Sequence, residues 1–515
     1  MLYINLVLNK TKIDYCLKLL LIIGIIGITM MLIFTSIAYT QTNSIYVDKI
    51  EINKSSILSE TELNNLISDY QSRDVTINEL RELVSKINEL YTKKGYITAQ
   101  AVLPEQNVEN GVVKIELIEG KIGEIILQGN QYTKDRYIIN RLSINRGDII
   151  SIDTLEKELF YFNVVNDINL QAELKAGKKY GTTDLILKID EPPKTQKSIF
   201  ADIRGRKESG KIRYGLNYTN NSLLGYRDRI NLSYFETEGT NGGTISYDFP
   251  IKIWDTRINI SYNNNVSDII YGDYESVSIK GEYEDYGVSF NQPLIVKEGF
   301  KADGGFEYKY KSSDTFFAGF NLLETEIETY SFHLTTQSIK DKKLLFANYN
   351  ILKGYTKSGQ GDYNDPGVSS EFMKYNAFFE RQHVLNNKNS FNIKTYVQLA
   401  NNKLLPSSEQ ISIGGMSTVR GYEEGRLTGD QGYYITLELS KRIDETKEYF
   451  IFIDHGGVLP YKGNAEDYDK DDYLTSLGHG FNFNFKNNIS GKFILGIPTH
   501  EREGLRVHFS IQRSW

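Results

Sequence analysis

From Gln196 to its last residue, Trp515, the chain breaks into segments of about ten residues in which apolar or aromatic side chains occupy nearly every second position. A period of two sends successive side chains to opposite faces of a strand, so each segment must lie between two different media. Segments 229–235, 256–262, 328–334, 375–379, 391–399 and 433–439 show the pattern plainly, with Gly, Asn and Asp between them. Counting such segments gives about sixteen, give or take two, and a closed antiparallel barrel of this kind needs an even number. Composition agrees, since 36 Tyr and 25 Phe against 9 Pro and 5 Met favour strands.

The final segment says which media are involved. Leu505, Val507, Phe509 and Ile511 fall on one face, and Arg506, His508, Ser510 and Gln512 on the other. Apolar outside and polar inside is what lipid around a water-filled lumen demands. Arg513 breaks the apolar face, but two residues from the terminus its long side chain can snorkel to the interface. A soluble sandwich or propeller is the alternative, and no blade-like repeat supports it. The expected fold is a transmembrane β-barrel of about 16 antiparallel strands over 196–515.

The rest of the chain precedes that barrel. A nearly continuous aliphatic run, 19–34, follows Lys10, Lys12 and Lys18 and leads into Ser36-Ile37-Ala38, a small-x-small pattern. It reads as a secretory signal peptide over 1–40, with a membrane anchor as the alternative. Cys16, the single cysteine, lies ahead of the apolar core, so the mature chain would contain none, which excludes disulfides and thiol chemistry. The mean hydropathy of −0.39 argues against a bundle of membrane helices. A net charge of −7 without a basic block gives no reason to expect nucleic acid as a partner.

Between signal and barrel, two modules share one order of elements: strand, helix, helix, strand, strand. In the first, 45–120, residues 45–52 alternate like a strand. Ser59 with Glu62 and Thr76 with Glu79 then make capping boxes that open two helices. The second, 121–193, repeats the order after about 75 residues, and Pro192-Pro193 ends it because neither residue can donate a ladder hydrogen bond. A small sheet with helices on one face leaves edge strands able to pair with an extended peptide, although spacers would look the same.

One loop of the barrel is far longer than a turn requires. It spans 401–432 and carries GGMSTVRGYEEG at 414–425. Gly414, Gly415 and Gly421 can take positive φ, letting the loop fold back and thrust Arg420 inward. An acid in the following segment, Asp454 of Phe452-Ile453-Asp454-His455-Gly456, offers a bidentate partner that Lys could not serve as well. The acidic segment 466–472 lacks the glycine an EF-hand needs where Asp472 stands, so a solvated loop is the better reading and no metal site is expected. No catalytic motif and no cofactor-binding motif appears, and His455 reads as a strand neighbour, not a general base.

The repeated modules, with the corner Tyr91-x-x-x-Gly95-Tyr96 and the closing Leu185-x-Leu187-x-Ile189-x-Glu191, resemble POTRA domains. Val419-Arg420-Gly421-Tyr422 in a long loop, followed by the Phe452, Asp454, Gly456 motif on a barrel behind two such repeats, resembles the TpsB transporters of two-partner secretion. That superfamily also contains the barrel-assembly insertases, which usually carry about five POTRA repeats. The resemblance implies sixteen strands, an Arg420–Asp454 pair, an outer-membrane location with periplasmic POTRA domains, and a secreted TpsA-like exoprotein of haemagglutinin or haemolysin type as client. The terminal strand, with Phe509 and Trp515, resembles the signal read by the barrel-assembly machinery, with Trp replacing the usual Phe. An insertase and a passive porin are the competing functions. Family members often begin with a helix that plugs the pore. Here only a few residues separate the expected cleavage site from Tyr46, so the Arg420 loop is expected to occlude the pore alone.

Overall fold

The computed structural model describes residues 44–251, 255–358, 368–401, 404–459, 473–499 and 504–515. The expected signal peptide with Cys16, the question of an N-terminal plug, and the acidic segment 466–472 all lie outside them. The chain divides into two compact units: one holds the described residues up to Glu124 with 146–154 and 176–184, and the other holds 125–145, 155–175 and 185–515.

The first module is built from β1 (Ser44–Val47), β2 (Lys49–Ile52), α1 (Glu60–Ile67), β3 (Arg73–Thr76), α2 (Ile77–Lys93), β4 (Ala99–Val102) and β5 (Val112–Glu119). Residues 45–52 do not form one strand. Asp48 and Lys49 both donate their N–H to the carbonyl of Gly111, which kinks the chain there. β1 therefore pairs with β3, and β2 runs parallel to β5 at the edge of a sheet ordered β2-β5-β4. Leu63 and Ile67 of α1 and Leu80, Leu83, Ile87 and Tyr91 of α2 bury against Val113, Ile115 and Leu117 of that sheet, following the helical spacing of the apolar positions.

Both helices open with reciprocal capping boxes, Ser59 with Glu62 and Thr76 with Glu79. The Ser59 backbone N–H, with Lys94 and the Ser59 hydroxyl, holds Glu62 down at about 2, and the Thr76 backbone N–H, with Arg73, does the same for Glu79. Because the folded values lie below the ordinary 4.5, this capping contributes above pH 4.5 and is lost as pH falls towards 2. Hydrogen exchange on the intact protein is expected to show the first turns of α1 and α2 losing protection across that window, with Glu62→Gln abolishing the dependence in α1. Equal protection at pH 5 and pH 2.5 would refute this.

The second module has β6 (Lys121–Gln128), α3 (Asp135–Ile139), α4 (Ile152–Val165), β7 (Asn169–Ala176) and β8 (Thr182–Asp190), with a sheet ordered β6-β8-β7. Its first helix is only five residues long, shorter than the apolar spacing over 134–142 suggests. Asp167, between α4 and β7, accepts from Arg227 Nε at 2.9 Å and from Arg229 Nη2 at 3.3 Å. Both arginines lie at the connection between the second and third strands of the barrel.

Sixteen strands then close into an antiparallel barrel. The first six are β9 (Thr195–Asp202), β10 (Arg213–Asn220), β11 (Arg229–Glu236), β12 (Thr240–Pro250), β13 (Arg257–Asp268) and β14 (Ile279–Lys297). Next come β15 (Phe300–Phe317), β16 (Phe320–Lys340), β17 (Lys343–Ser358), β18 (Glu371–Val384) and β19 (Asn389–Ala400). A small hairpin, β20 (Ile411–Ile413) and β21 (Leu427–Gly429), lies within the long loop and outside the barrel ladder. The barrel resumes with β22 (Gln431–Arg442), β23 (Lys447–Leu459), β24 (Tyr473–Phe485), β25 (Ile489–Pro498) and β26 (Arg506–Ser514). β26 closes on β9. Val507, Phe509 and Ile511 are exposed outward, while His508 is buried. The inner wall is rich in uncharged polar contacts such as Asn231 to Ser246 and Thr244 to Asn263.

Candidate functional site

The described part of the long loop, 404–430, is more ordered than a glycine-rich connection needs to be. Ile411 and Ile413 of β20 join Val419 and Tyr422 in a buried cluster with Val458 of β23 and Leu474 of β24. That cluster drives the loop against the inner wall by burying apolar surface. The reversal between β20 and the arginine is made by Gly414 (φ 107°) and Gly415 (φ 100°), a conformation that side-chain-bearing residues rarely adopt. Gly415 donates its N–H to Val419 O at 3.1 Å, and Gly414 donates to Thr418 Oγ1 at 2.8 Å.

Arg420 is 5 % exposed and Asp454 is fully buried. Nε donates to Asp454 Oδ2 and Nη2 to Oδ1, both at 2.8 Å, and the Arg420 backbone N–H reaches Oδ2 at 3.0 Å. The remaining nitrogen, Nη1, donates to Glu438 Oε2 at 2.7 Å. The guanidinium carbon lies 3.5 Å from the centre of the Phe452 ring. The Arg420 carbonyl accepts from His508 Nε2 at 2.7 Å, so this nitrogen carries the proton. A planar fork meeting two carboxylates and a ring face is a geometry that a lysine ammonium cannot reproduce.

The motif on β23 follows from strand period. Phe452, Asp454 and Gly456 are alternate residues and all face the lumen. The first offers a ring face to the cation and the second a carboxylate. The third offers space, because a Cβ on Gly456 would lie 3.3 Å from Ile413 Cδ1 and 2.8 Å from Tyr433 O. Two glycines of β24 and β25 continue this accommodation: Gly478 admits the Phe452 ring and Gly496 the Arg420 carbonyl.

Gly421 is present for a reason other than the expected one. It is not among the residues with positive φ, so conformational freedom does not explain it. A Cβ there would stand 2.5 Å from Ser476 Cβ and 3.0 Å from Pro498 N, so glycine lets the loop lie directly on β24 and β25. Gly421→Ala is expected to push the loop off the wall at about 1–3 kcal/mol, the usual range for overpacking. Faster proteolysis of the loop in the folded barrel would report it. Tyr422 is buried and donates its hydroxyl to Thr475 O at 3.1 Å.

The other residues singled out in the sequence lie elsewhere. His455 faces away from Asp454 and bonds Tyr433 and Thr475 at 2.9 and 2.8 Å. Phe509 faces outward, and Trp515, also exposed, exchanges 3.0 Å backbone bonds with Lys197 of β9. Neither touches the Arg420 site.

Sequence reasoning missed Glu438, although a carboxylate in the middle of an alternating segment has nowhere to go but the lumen. It also missed a second anchor at the root of the loop. Glu409, in the short turn Ser407–Glu409, is buried between two lysines of the wall: Lys374 of β18 at 2.7 Å and Lys311 of β15. The Glu409 carbonyl accepts from Lys374 Nζ at 2.9 Å and from Gln398 Nε2 at 3.0 Å. Gln398 Nε2 also reaches Asp430 O at 3.0 Å, and Asp430 Oδ1 accepts from Leu405 N–H at 2.9 Å. The loop is thus held on one wall by Arg420 and on another by Glu409. Towards the turn between β22 and β23 lies a cavity of about 830 Å³, lined by Arg204, Arg213, Arg442 and Lys492 among others.

Among the described residues no group of three or more His, Cys, Asp or Glu could hold a metal ion. The arrangement positions a polypeptide loop inside a channel.

Residues 181–483 match the family described as haemolysin secretion/activation protein ShlB/FhaC/HecB, and residues 45–120 match the ShlB-type POTRA domain. The chain is 26% identical to the heme/hemopexin transporter protein HuxB of Haemophilus influenzae strain 86-028NP, covering 82% of this chain and 78% of that one. It is 20% identical to the outer membrane transporter CdiB of Dickeya dadantii strain 3937, covering 76% and 71%. Among solved structures, CdiB from Escherichia coli shares the fold at a TM-score of 0.66, with 18% identity over 93% of this chain and 92% of that one. With a closed sixteen-strand barrel, a POTRA region ahead of it and a match over more than half its length, the chain belongs to the ShlB/FhaC/HecB family of two-partner secretion transporters, proteins of the outer membrane whose POTRA domains face the periplasm.

Proposed function

We propose that the protein exports one large, unfolded exoprotein, that its POTRA domains receive this client in the periplasm, and that the Arg420 loop gates the lumen. The observation that carries the reading is the buried Arg420 with its two carboxylates, a specific latch on a loop inside a polar channel. A passive porin needs neither a latched loop nor POTRA modules. Residues 121–193 act in this reading as a second POTRA domain, completing the boundaries 45–120, 121–193 and 196–515.

The first module offers a receiving surface. Between β2 and α1 lies a groove of about 1050 Å³ whose apolar lining includes Ile50, Ile52, Leu58, Leu63 and Ile115. β2 is an edge strand, and its Ile50 N–H is occupied only by the Gln71 side chain at 2.9 Å, a contact that an incoming peptide strand can replace. The client is of the TpsA-like haemolysin or haemagglutinin type. The terminal strand with Phe509 and Trp515 serves the protein's own insertion by the barrel-assembly machinery.

Comparative proteomics of culture supernatant and outer membrane, with the protein intact, deleted or carrying Arg420→Ala, tests the reading. Loss of one large secreted protein with membrane barrels unchanged is the expected result. Depletion of many barrels would instead make this an insertase, and no change in either fraction would leave a porin.

A further inference from the structure

Arg513 has no part in the latch or in the client groove. β26 meets β9 over only five residue pairs, from Ser510–Asp202 to Ser514–Ser198, whereas β14 and β15 share eighteen. The outer face of this short seam carries a groove of about 500 Å³ whose apolar walls include Ile199, Ala201, Leu216, Ile489 and Ile511, with Arg513 at its margin. Ala201 is small between Ile511 and Tyr214, the residues paired with it on either side, which gives the groove its depth.

The register places two cations at the periplasmic end of the groove. Arg513 stands opposite Ile199 on one side and Ile489 on the other. Lys197 stands opposite Trp515, two residues along β9 from Ile199, so strand period puts it on the same outer face. Both residues are exposed, and neither side chain has a hydrogen-bond or ion-pair partner among the described residues. Among the described residues that line the groove the one acid, Glu236, is at the opposite, extracellular end and accepts from Tyr234 OH at 3.1 Å.

We propose that this seam is a binding site for an anionic glycerophospholipid of the periplasmic leaflet. Its phosphate lies between Lys197 and Arg513, and an acyl chain follows the groove past Ile199 and Leu216 towards Ala201. Two unpaired cations at the end of an apolar furrow, at the depth where a membrane-facing aromatic such as Trp515 settles, match the amphipathic outline of such a lipid. Because the groove is walled by residues of β9 and β26, the bound lipid contacts both strands of the shortest closure and holds them together.

The test uses the full-length protein in detergent, titrated with phosphatidylglycerol or phosphatidylethanolamine and read by native mass spectrometry. Wild type is expected to retain phosphatidylglycerol preferentially, and Lys197→Gln and Arg513→Gln each to weaken it about fivefold. The charge-keeping pair Lys197→Arg with Arg513→Lys retains the preference. Ala201→Trp, which fills the groove and leaves both cations, lowers retention as well. A heat-sensitive gel shift confirms that each barrel is folded. Equal retention of the two lipids by wild type would overturn the proposal. So would a preference that survives removal of both charges.

Discussion

Asp454→Ala is expected to release the loop from the wall and raise the conductance of the channel. Substitution leaves the Arg420 guanidinium buried with only Glu438 opposite, and removing one partner of a buried ion pair costs about 3–5 kcal/mol. Much of that is the penalty of leaving Nε and Nη2 of a buried guanidinium without an acceptor, so the loop gains by moving Arg420 to water, and the buried cluster of Val419, Tyr422 and Ile413 opens with it. Planar-bilayer recordings and protease accessibility of 401–430 read the two consequences together. Arg420→Ala combined with Asp454→Ala should cost less than the sum of the singles, because the coupling between these two residues is then lost only once, although Glu438 is left without its Arg420 partner. Unchanged conductance and an unchanged cleavage pattern in the single variant would show that the loop does not depend on this pair.

Glu409→Ala is expected to have an effect of similar size at the other end of the loop. Lys311 and Lys374 are then left facing each other within the wall with no carboxylate between them. The like charges repel, and the turn Ser407–Glu409 loses its side-chain tie to β15 and β18. The prediction is higher conductance with the Arg420 latch intact, since Gln398 and Asp430 still hold the backbone of the root. Restoring a neutral hydrogen-bonding group with Glu409→Gln should recover less than half of the lost stability, because it supplies no charge. If Glu409→Ala secretes and conducts like wild type, the root is a passive support and the Arg420 latch alone holds the loop.

The barrel was legible because its physics is periodic. Lipid on one face and water on the other force alternation, so a count of about sixteen, give or take two, and the outward set Val507, Phe509 and Ile511 could be read from spacing alone. The two capping boxes were legible for a similar reason, since Ser59 with Glu62 and Thr76 with Glu79 act within one turn. The split of 45–52 was not legible. It depends on the Gly111 carbonyl, more than sixty residues away, capturing two N–H groups at Asp48 and Lys49.

By itself, then, the sequence determined features that rest on neighbours within a strand or helical turn: strand period, the two capping boxes, and the alternate residues Phe452, Asp454 and Gly456 facing one way. Tertiary structure alone decided where the long loop lies, and with it which residues meet there. Glu438 and Asp454 share one guanidinium because their strands are paired in a particular register. Glu409 meets Lys311 and Lys374, distant in sequence, because the loop root crosses to β15 and β18. Gly421 is needed for its lack of a side chain against Ser476, a requirement visible only once the loop rests on the wall. Short-range constraints are written in spacing, whereas contacts across a closed lumen depend on the path of a chain that spacing does not encode.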